Sequence, residues 1–368
     1  VAEVGHARAV DGDVRDRLWA QTHATSSTSA EAILRDYSSL CVGDSAAIRS
    51  FRSIFLERSF NGARHEGEVY DEPTRYLLFA PNVAGAEDRR PLVVWLHGTG
   101  DGEADLQHHL TWLARLFFPP PWQRSRYPFF FLSVLRPARY KSWSAAPGSA
   151  DDMLDRVLAI LDEIVGECPI DASRIAVVGA SSGGTGCWEM VLRSPGRFAG
   201  VAPLASRGSD ETRVRQIAGV PIWAFHCTGD KAVPIIGVRQ TVRALKDAGG
   251  MVLLTEFESD DHDSWTPAFD DYDLLNWMLS QKLGDAKRYP PGSRSLSTRA
   301  RPLVRAAATA AVWIAWLIIP LAAICVPLVL KLKGATQRKS LTLKAKSTEK
   351  TCQESRNDDR SSQGGEGR

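Results

Sequence analysis

No two cysteines in this chain are spaced as Cys-x-x-Cys. The six present, Cys41, Cys168, Cys187, Cys227, Cys325 and Cys352, follow no repeated interval. That pattern excludes a disulfide framework or a common zinc frame and reads as mostly free thiols. None of the four asparagines, Asn61, Asn82, Asn276 and Asn357, begins an Asn-x-Ser/Thr acceptor, in keeping with a domain that stays out of the secretory lumen. An excess of one charge sign is missing too. The 45 basic and 43 acidic residues leave a net charge of +2, so there is no electrostatic footprint for nucleic acid. The first residues, Val-Ala-Glu-Val-Gly-His, are mixed and polar and do not form a charged-then-apolar signal peptide. There is no internal repeat.

What is present suits one enzyme core with appendages. Hydrophobic residues make up 44% of the 368 and charged residues 24%, enough to bury a sizeable core. Residues 1–49 are polar and are expected to form a loosely ordered extension. Around 66–80, two short strand-like pieces flank a turn, which suits the antiparallel start of a sheet. Apolar runs of strand length then alternate with helical patterns. Pro91 to Leu96, Phe129 to Val134, Arg174 to Val178, Gly200 to Leu204, Pro221 to Phe225 and Met251 to Phe257 read as buried strands. Ala150 to Val165, Gly184 to Arg193, Ile236 to Ala248 and Asp270 to Gln281 read as helices. The expected fold is therefore α/β, a mostly parallel central sheet flanked by helices, over residues 50–284.

Residues 285–305 form a linker rich in Gly, Pro, Ser and Arg. From Ala306 to Leu330 there is no charged residue, and that run exceeds the roughly 20 residues needed to span a bilayer core, so a C-terminal transmembrane helix is expected there. Pro320 and Pro327 would kink it. A basic, then polar tail over 331–368 is expected to be disordered. Basic residues flank the apolar run on both sides, so the positive-inside rule is nearly silent. An anchor made late in synthesis implies a single-pass membrane protein with its catalytic domain in the cytosol.

The chemistry concentrates at strand ends. Gly179-Ala180-Ser181-Ser182-Gly183 matches Gly-x-Ser-x-Gly, preceded by a β-branched strand and followed by a helical pattern. A nucleophile elbow needs flanking glycines because the chain reverses where a β-carbon would clash. A serine hydroxyl needs a base, and the base needs a carboxylate to orient it, in the chain order Ser, Asp, His. Asp230 sits in the turn after the strand ending at Phe225, and His262 lies just past the strand ending at Phe257. Of the eight histidines, His6, His23, His65, His108 and His109 read as surface residues, His97 as a brace for its loop and His226 as structural; His262 is the expected base. Backbone N–H groups should bind the oxyanion. Ser182 supplies one, and Thr99, in the loop His97-Gly98-Thr99-Gly100-Asp101-Gly102, is the expected second. Trp143, Trp188 and Trp265 are candidates to line the substrate pocket. Asp151, Asp152 and Asp155 resemble a metal cluster, but acids in a first helical turn favour its dipole and are ordinarily solvated. Asp260, Asp261 and Asp263 flank the base and compete with Asp230 for the acid role, although a neighbour in sequence would struggle to reach the far ring nitrogen.

The segments Leu92 to Gly102, Ile170 to Trp188, Pro221 to Pro234 and Thr255 to Leu279 resemble the phospholipase/carboxylesterase branch of the α/β-hydrolases. The likeness is strongest to its predicted-peptidase-type esterases, with poly(hydroxybutyrate) depolymerase-like and dienelactone hydrolase-like enzymes as relatives. His262-Asp263-Ser264-Trp265 before an acidic, aromatic helix is specific to the esterase branch. The resemblance covers about residues 50–284 and implies Ser181 as nucleophile, Asp230 as acid and His262 as base, with neither metal nor cofactor. Two departures stand out: Cys227 replaces a glycine usual after the strand histidine, and Gln107-His108-His109 follows Gly102. The expected activity is hydrolysis of small-molecule or lipid carboxylic esters through an acyl-enzyme. The alternatives are a prolyl-oligopeptidase-type serine peptidase and a catalytically silent, membrane-anchored binding module.

Overall fold

The computed structural model describes residues 37–65, 68–69, 72–81, 83–118, 128–140, 142–145 and 152–285. The chain divides into two units, Val1–Thr298 and Arg299–Arg368, and every described residue falls in the first. The expected anchor at 306–330, the linker beyond Asp285, the tail at 331–368 and the extension up to residue 36 lie outside the described residues. Among the described residues no helix is long and apolar enough to cross a membrane.

In chain order the strands are β1 (Leu56–Phe60), β2 (Ala63–His65), β3 (Glu68–Val69), β4 (Thr74–Phe79), β5 (Arg90–Leu96), β6 (Phe130–Val134), β7 (Ile170–Ala180), β8 (Gly200–Leu204), β9 (Ile222–Cys227) and β10 (Val252–Phe257). The helices are α1 (Tyr37–Cys41), α2 (Ser45–Arg52), α3 (Leu106–Phe117), α4 (Met153–Glu167), α5 (Ser182–Arg193), α6 (Ile236–Asp247), α7 (Trp265–Asp270) and α8 (Leu274–Ser280). Eight strands form one sheet in the order β1-β4-β6-β5-β7-β8-β9-β10, and β2 pairs separately with β3. In the eight-stranded sheet β4 alone points opposite to the other strands, pairing antiparallel with β1 and β6; the strands from β6 through β5, β7, β8 and β9 to β10 are parallel.

Sequence explains the layers. β6, β8 and β9 are buried at every position, as expected of parallel strands covered on both faces. One face packs on α4, α5 and α6, with Met153, Val157, Ile160, Val191 and Val238 in the core. The other packs on α1, α2, α3, α7 and α8 through Ile48, Phe51, Leu113, Phe117, Leu274 and Trp277. Helix α4 buries Met153, Leu154, Val157, Ile160, Leu161 and Ile164, the spacing of an amphipathic helix, and Asp152 caps it by accepting from the amides of Leu154 and Asp155.

The boundary drawn at residue 50 cuts through α2, which Asp44 caps by accepting from Ala46 and Ala47. Ile48 and Phe51 of α2 are buried in the core, where the Phe51 ring packs on Phe55 and Phe118. A few apolar residues in a polar stretch are enough to dock a helix when aromatic neighbours wait for them. Strand β1 escaped notice because only Phe60 is fully buried. It is a sheet edge carrying charge: Arg58 pairs with Glu167 at 2.6 Å, which suits an edge that must resist further pairing.

The register brings the chemistry to one rim. Leu96 pairs with Gly179, Ala180 with Leu204, Leu204 with Phe225 and Phe257 with Cys227. The loops that follow β5, β7, β9 and β10 therefore all leave from the C-terminal edge of the parallel strands, where ligands bind in open α/β sheets.

Candidate active site

Ser181 turns the chain from β7 into α5 with φ of 56° and ψ of −116°, a backbone region that costs a residue with a β-carbon about 1–3 kcal/mol. Its own N–H is tied to the Leu204 carbonyl at 2.9 Å, which fixes the elbow against β8. The flanking glycines are required by close approach. A β-carbon at Gly179 would lie 2.6 Å from the Gly183 carbonyl carbon, and one at Gly183 would run into the carbonyl oxygen of Leu96. The Ser181 side chain is half-buried, accessible at the rim.

Asp230 and His262 meet directly. His262 Nδ1 lies 2.6 Å from Asp230 Oδ2. The carboxylate side chain is fully buried while the ring keeps 27% exposure, so the acid is hidden and the base presents an edge outward. Burial opposes charge on Asp230, yet the amides of Val233 and Ala232 and the His262 ring hold its carboxyl below the usual carboxylate range. Backbone bonds join the two loops: Thr228 N–H donates to Phe257 at 2.8 Å and Gly229 N–H to Ser259 at 2.9 Å. The neighbouring acids are otherwise engaged. Asp263 accepts from Thr266 N–H at 2.8 Å and from its hydroxyl at 2.6 Å, and Asp261 accepts the His262 amide at 2.7 Å. His226, fully buried, donates from Nε2 to the Val233 carbonyl at 2.8 Å and sits 3.4 Å from Asp230 Oδ2. Among the described residues no hydrogen bond joins the Ser181 hydroxyl to His262, a link that in enzymes without substrate is often long.

The loop after β5 is built on buried polar groups. His97 is 1% exposed; its Nε2 accepts the Arg136 amide at 3.1 Å, so Nδ1 carries the proton and donates to the Gly98 carbonyl at 2.7 Å. Burial, with the Arg136 charge, pulls this imidazole down to about 3, and the ring is neutral. It packs edge-on against Trp143 and His109 at 5.0 and 5.2 Å. Gly102, at φ of +74°, leaves room that a β-carbon would take from the His97 ring. A β-carbon at Gly98 would lie 3.7 Å from that of Ser181, so the loop abuts the elbow. Thr99 is exposed at its tip, and Ser182 opens α5 beside it.

The tryptophans divide. Trp143 and Trp188 are fully buried, so the expectation that they line a pocket is corrected: Trp143 donates to the His97 carbonyl at 2.9 Å and Trp188 to Ser206 at 2.9 Å. Both are large apolar bodies whose one polar atom found a buried acceptor. Trp265 is half-buried and meets the His262 ring edge-on at 5.4 Å. Trp112, which the sequence reading passed over, meets Trp265 at 5.9 Å. Its position four residues after His108, whose Nε2 accepts its indole N–H at 3.0 Å, was the available signal. Asp152 and Asp155 both pair with Arg193, at 2.5 and 2.7 Å, which accounts for their clustering.

Part of the chain is similar to known esterases. Residues 144–273, which include Ser181, Asp230 and His262, match the model of the Phospholipase/Carboxylesterase family. A protein described as "Putative esterase NocK", from Nocardia uniformis subsp. tsuyamanensis, is 25% identical over 171 residues, 44% of this chain and 47% of that protein. A thermostable esterase of known crystal structure is 29% identical with a TM-score of 0.55, over 63% of this chain and 64% of that one. The acylaminoacyl peptidase of Pyrococcus horikoshii is 14% identical with a TM-score of 0.46, over 64% of this chain and 43% of that one, a level that bears on neither substrate nor chemistry. The chain thus spans less than two thirds of the length of each of these relatives. The chain has an α/β-hydrolase-like fold and resembles the phospholipase/carboxylesterase family through residues 144–273.

Proposed function

We propose that this chain is a serine esterase acting on small-molecule or lipid carboxylic esters. Ser181 Oγ attacks the ester carbonyl carbon while His262 takes its proton. The carbonyl oxygen becomes an oxyanion between the N–H groups of Thr99 and Ser182. The intermediate collapses, His262 delivers the proton to the departing alkoxide oxygen, and an acyl-Ser181 ester remains. Water, deprotonated by His262, then releases the acid and restores the serine. Asp230 holds the imidazole in the tautomer that keeps Nε2 free for this exchange.

The observation that carries the reading is the 2.6 Å contact between His262 Nδ1 and the buried Asp230 carboxylate, on the same rim as a serine with left-handed backbone. The test is fluorophosphonate labelling together with hydrolysis of p-nitrophenyl esters of graded acyl length and the matching p-nitroanilides. The expected result is labelling and ester turnover that vanish in Ser181→Ala, with the anilides cleaved far more slowly. Anilide turnover equal to that of the esters would move the activity to peptidase, and unchanged ester cleavage by Ser181→Ala would overturn the reading. We also propose, from the uncharged run Ala306 to Leu330, a single-pass anchor with the catalytic domain facing the cytosol.

A further inference from the structure

Arg136 is 3% exposed, yet among the described residues no carboxylate lies within ion-pair distance of it, and its Nε has no hydrogen-bond partner. Desolvating a cation without a paired anion is costly, and an apolar or amide side chain of similar length would relieve that cost. The groups around the guanidinium show what it faces. Nη1 donates to the Tyr140 carbonyl, and the guanidinium carbon stands 5.4 Å over the Trp143 ring. Nη2 reaches the Gly98 carbonyl at 3.4 Å and Ser182 Oγ at 3.5 Å. Asp101, whose carboxylate is engaged with His108 at 2.8 Å, acts on the cation only at longer range.

One contact is to the peptide that carries the Thr99 N–H and the other is to Ser182, the two proposed oxyanion donors. The Gly98 carbonyl and the Thr99 N–H are opposite ends of one trans peptide, so whatever fixes the carbonyl aims the N–H the other way. Two donors fix it: His97 Nδ1 at 2.7 Å and Arg136 Nη2 at 3.4 Å. A carbonyl that accepts a charged donor is also polarised, which strengthens its own N–H as a donor.

We propose that Arg136 is a positioning residue of the oxyanion hole, holding the Gly98–Thr99 peptide and Ser182 in register and facing both with a fixed positive charge as the tetrahedral oxyanion forms. The proposal rests on the esterase reading of Ser181. Arg136 touches no substrate; it acts through the two backbone donors.

The test compares Arg136→Gln and Arg136→Lys with the full-length wild type. It reads kcat and KM for p-nitrophenyl acetate, the inhibition constant of a trifluoromethyl ketone that traps Ser181 as an anionic hemiketal, and the melting temperature. Removing one direct oxyanion donor costs about 10²–10³-fold, so loss of a group acting through the donors should lower kcat about 10–100-fold with KM within about threefold. Affinity for the ketone should fall in proportion to kcat/KM, and Lys should restore most of both. Unchanged kcat in Arg136→Gln, a loss confined to KM, or a Lys variant as poor as Gln at an equal melting temperature would each overturn the proposal. Should Arg136→Gln not fold, Arg136→Lys carries the test. Ketone affinity within about threefold of wild type supports the role of charge, and a larger loss, or failure of Lys to fold, overturns it. Failure of the esterase reading is seen separately, as equal ester hydrolysis by the wild type and Ser181→Ala.

Discussion

The two halves of the candidate site are built by opposite means. The half proposed to receive the substrate oxygen, from His97 to Gly102 with Ser181 and Ser182, stands on buried polar groups and, at Gly102, a contact with His97 that leaves no room for a β-carbon. The half proposed to move the proton consists of two loops, with Asp230 hidden, His262 half-exposed, and backbone bonds joining the loop of one to the loop of the other. A donor array must be rigid before charge develops, because its benefit is the reorganisation it avoids. A base must pivot between nucleophile and leaving group, so it needs one fixed nitrogen and freedom at the other. Substitutions in the first half should therefore damage stability and turnover together, whereas those in the second should damage turnover alone.

The largest effect expected is from Ser181→Ala and His262→Ala, each lowering kcat for p-nitrophenyl acetate by about 10⁵–10⁶-fold, since the members act as a unit. Asp230→Asn should follow with about 10⁴-fold at a melting temperature close to wild type, the mark of a tautomer effect; a fold-wide loss would blur the contrast between the halves. Gly183→Ala sharpens the contrast from the other side. Its methyl meets the Leu96 carbonyl, so thermal unfolding should show a destabilisation of about 3 kcal/mol or more accompanied by lost activity.

Acid should reveal the buried histidines. His97 titrates near 6.5 when unfolded and is held down to about 3 when folded, so between those values the unfolded chain binds more protons and stability falls as pH falls. His109 and His226, also lowered by burial, add in the same direction. Denaturant melts at pH 7, 5.5 and 4.5 should show a steady decline, and a flat profile would remove the claim that the oxygen-binding half rests on a neutral ring. The smallest effect belongs to a chain ending at Asp285. Every strand of the sheet lies before that point, so ester turnover should match full length within about twofold. Carbonate-resistant membrane association should be lost with the segment removed.

Much of this was legible in the sequence where period and punctuation agree. β5, β6, β8 and β9 read correctly because strands buried on both faces are continuous apolar runs. The placement of Ser181, Asp230 and His262 just past strand ends was legible because turn chemistry marks each end. Other features were hidden for physical reasons. β1 pairs along an edge and keeps its charges wet, so it has no apolar run. α2 buries only a few residues, and its docking depends on the neighbouring Phe55 and on Phe118, a ring distant in sequence. Arg136 was invisible because its significance lies in which carbonyl it faces, a matter of tertiary placement alone. Trp143 and Trp188 look like pocket walls in sequence only because bulk and aromaticity do not tell a core from a cleft.

The edge-on contact of Trp265 with the His262 ring also makes an optical probe. An imidazolium quenches indole emission more strongly than the neutral ring does. The fluorescence difference between wild type and Trp265→Phe, followed against pH, would therefore trace the protonation of the candidate base without any substrate present, and the same signal followed in time would watch the proton arrive and leave.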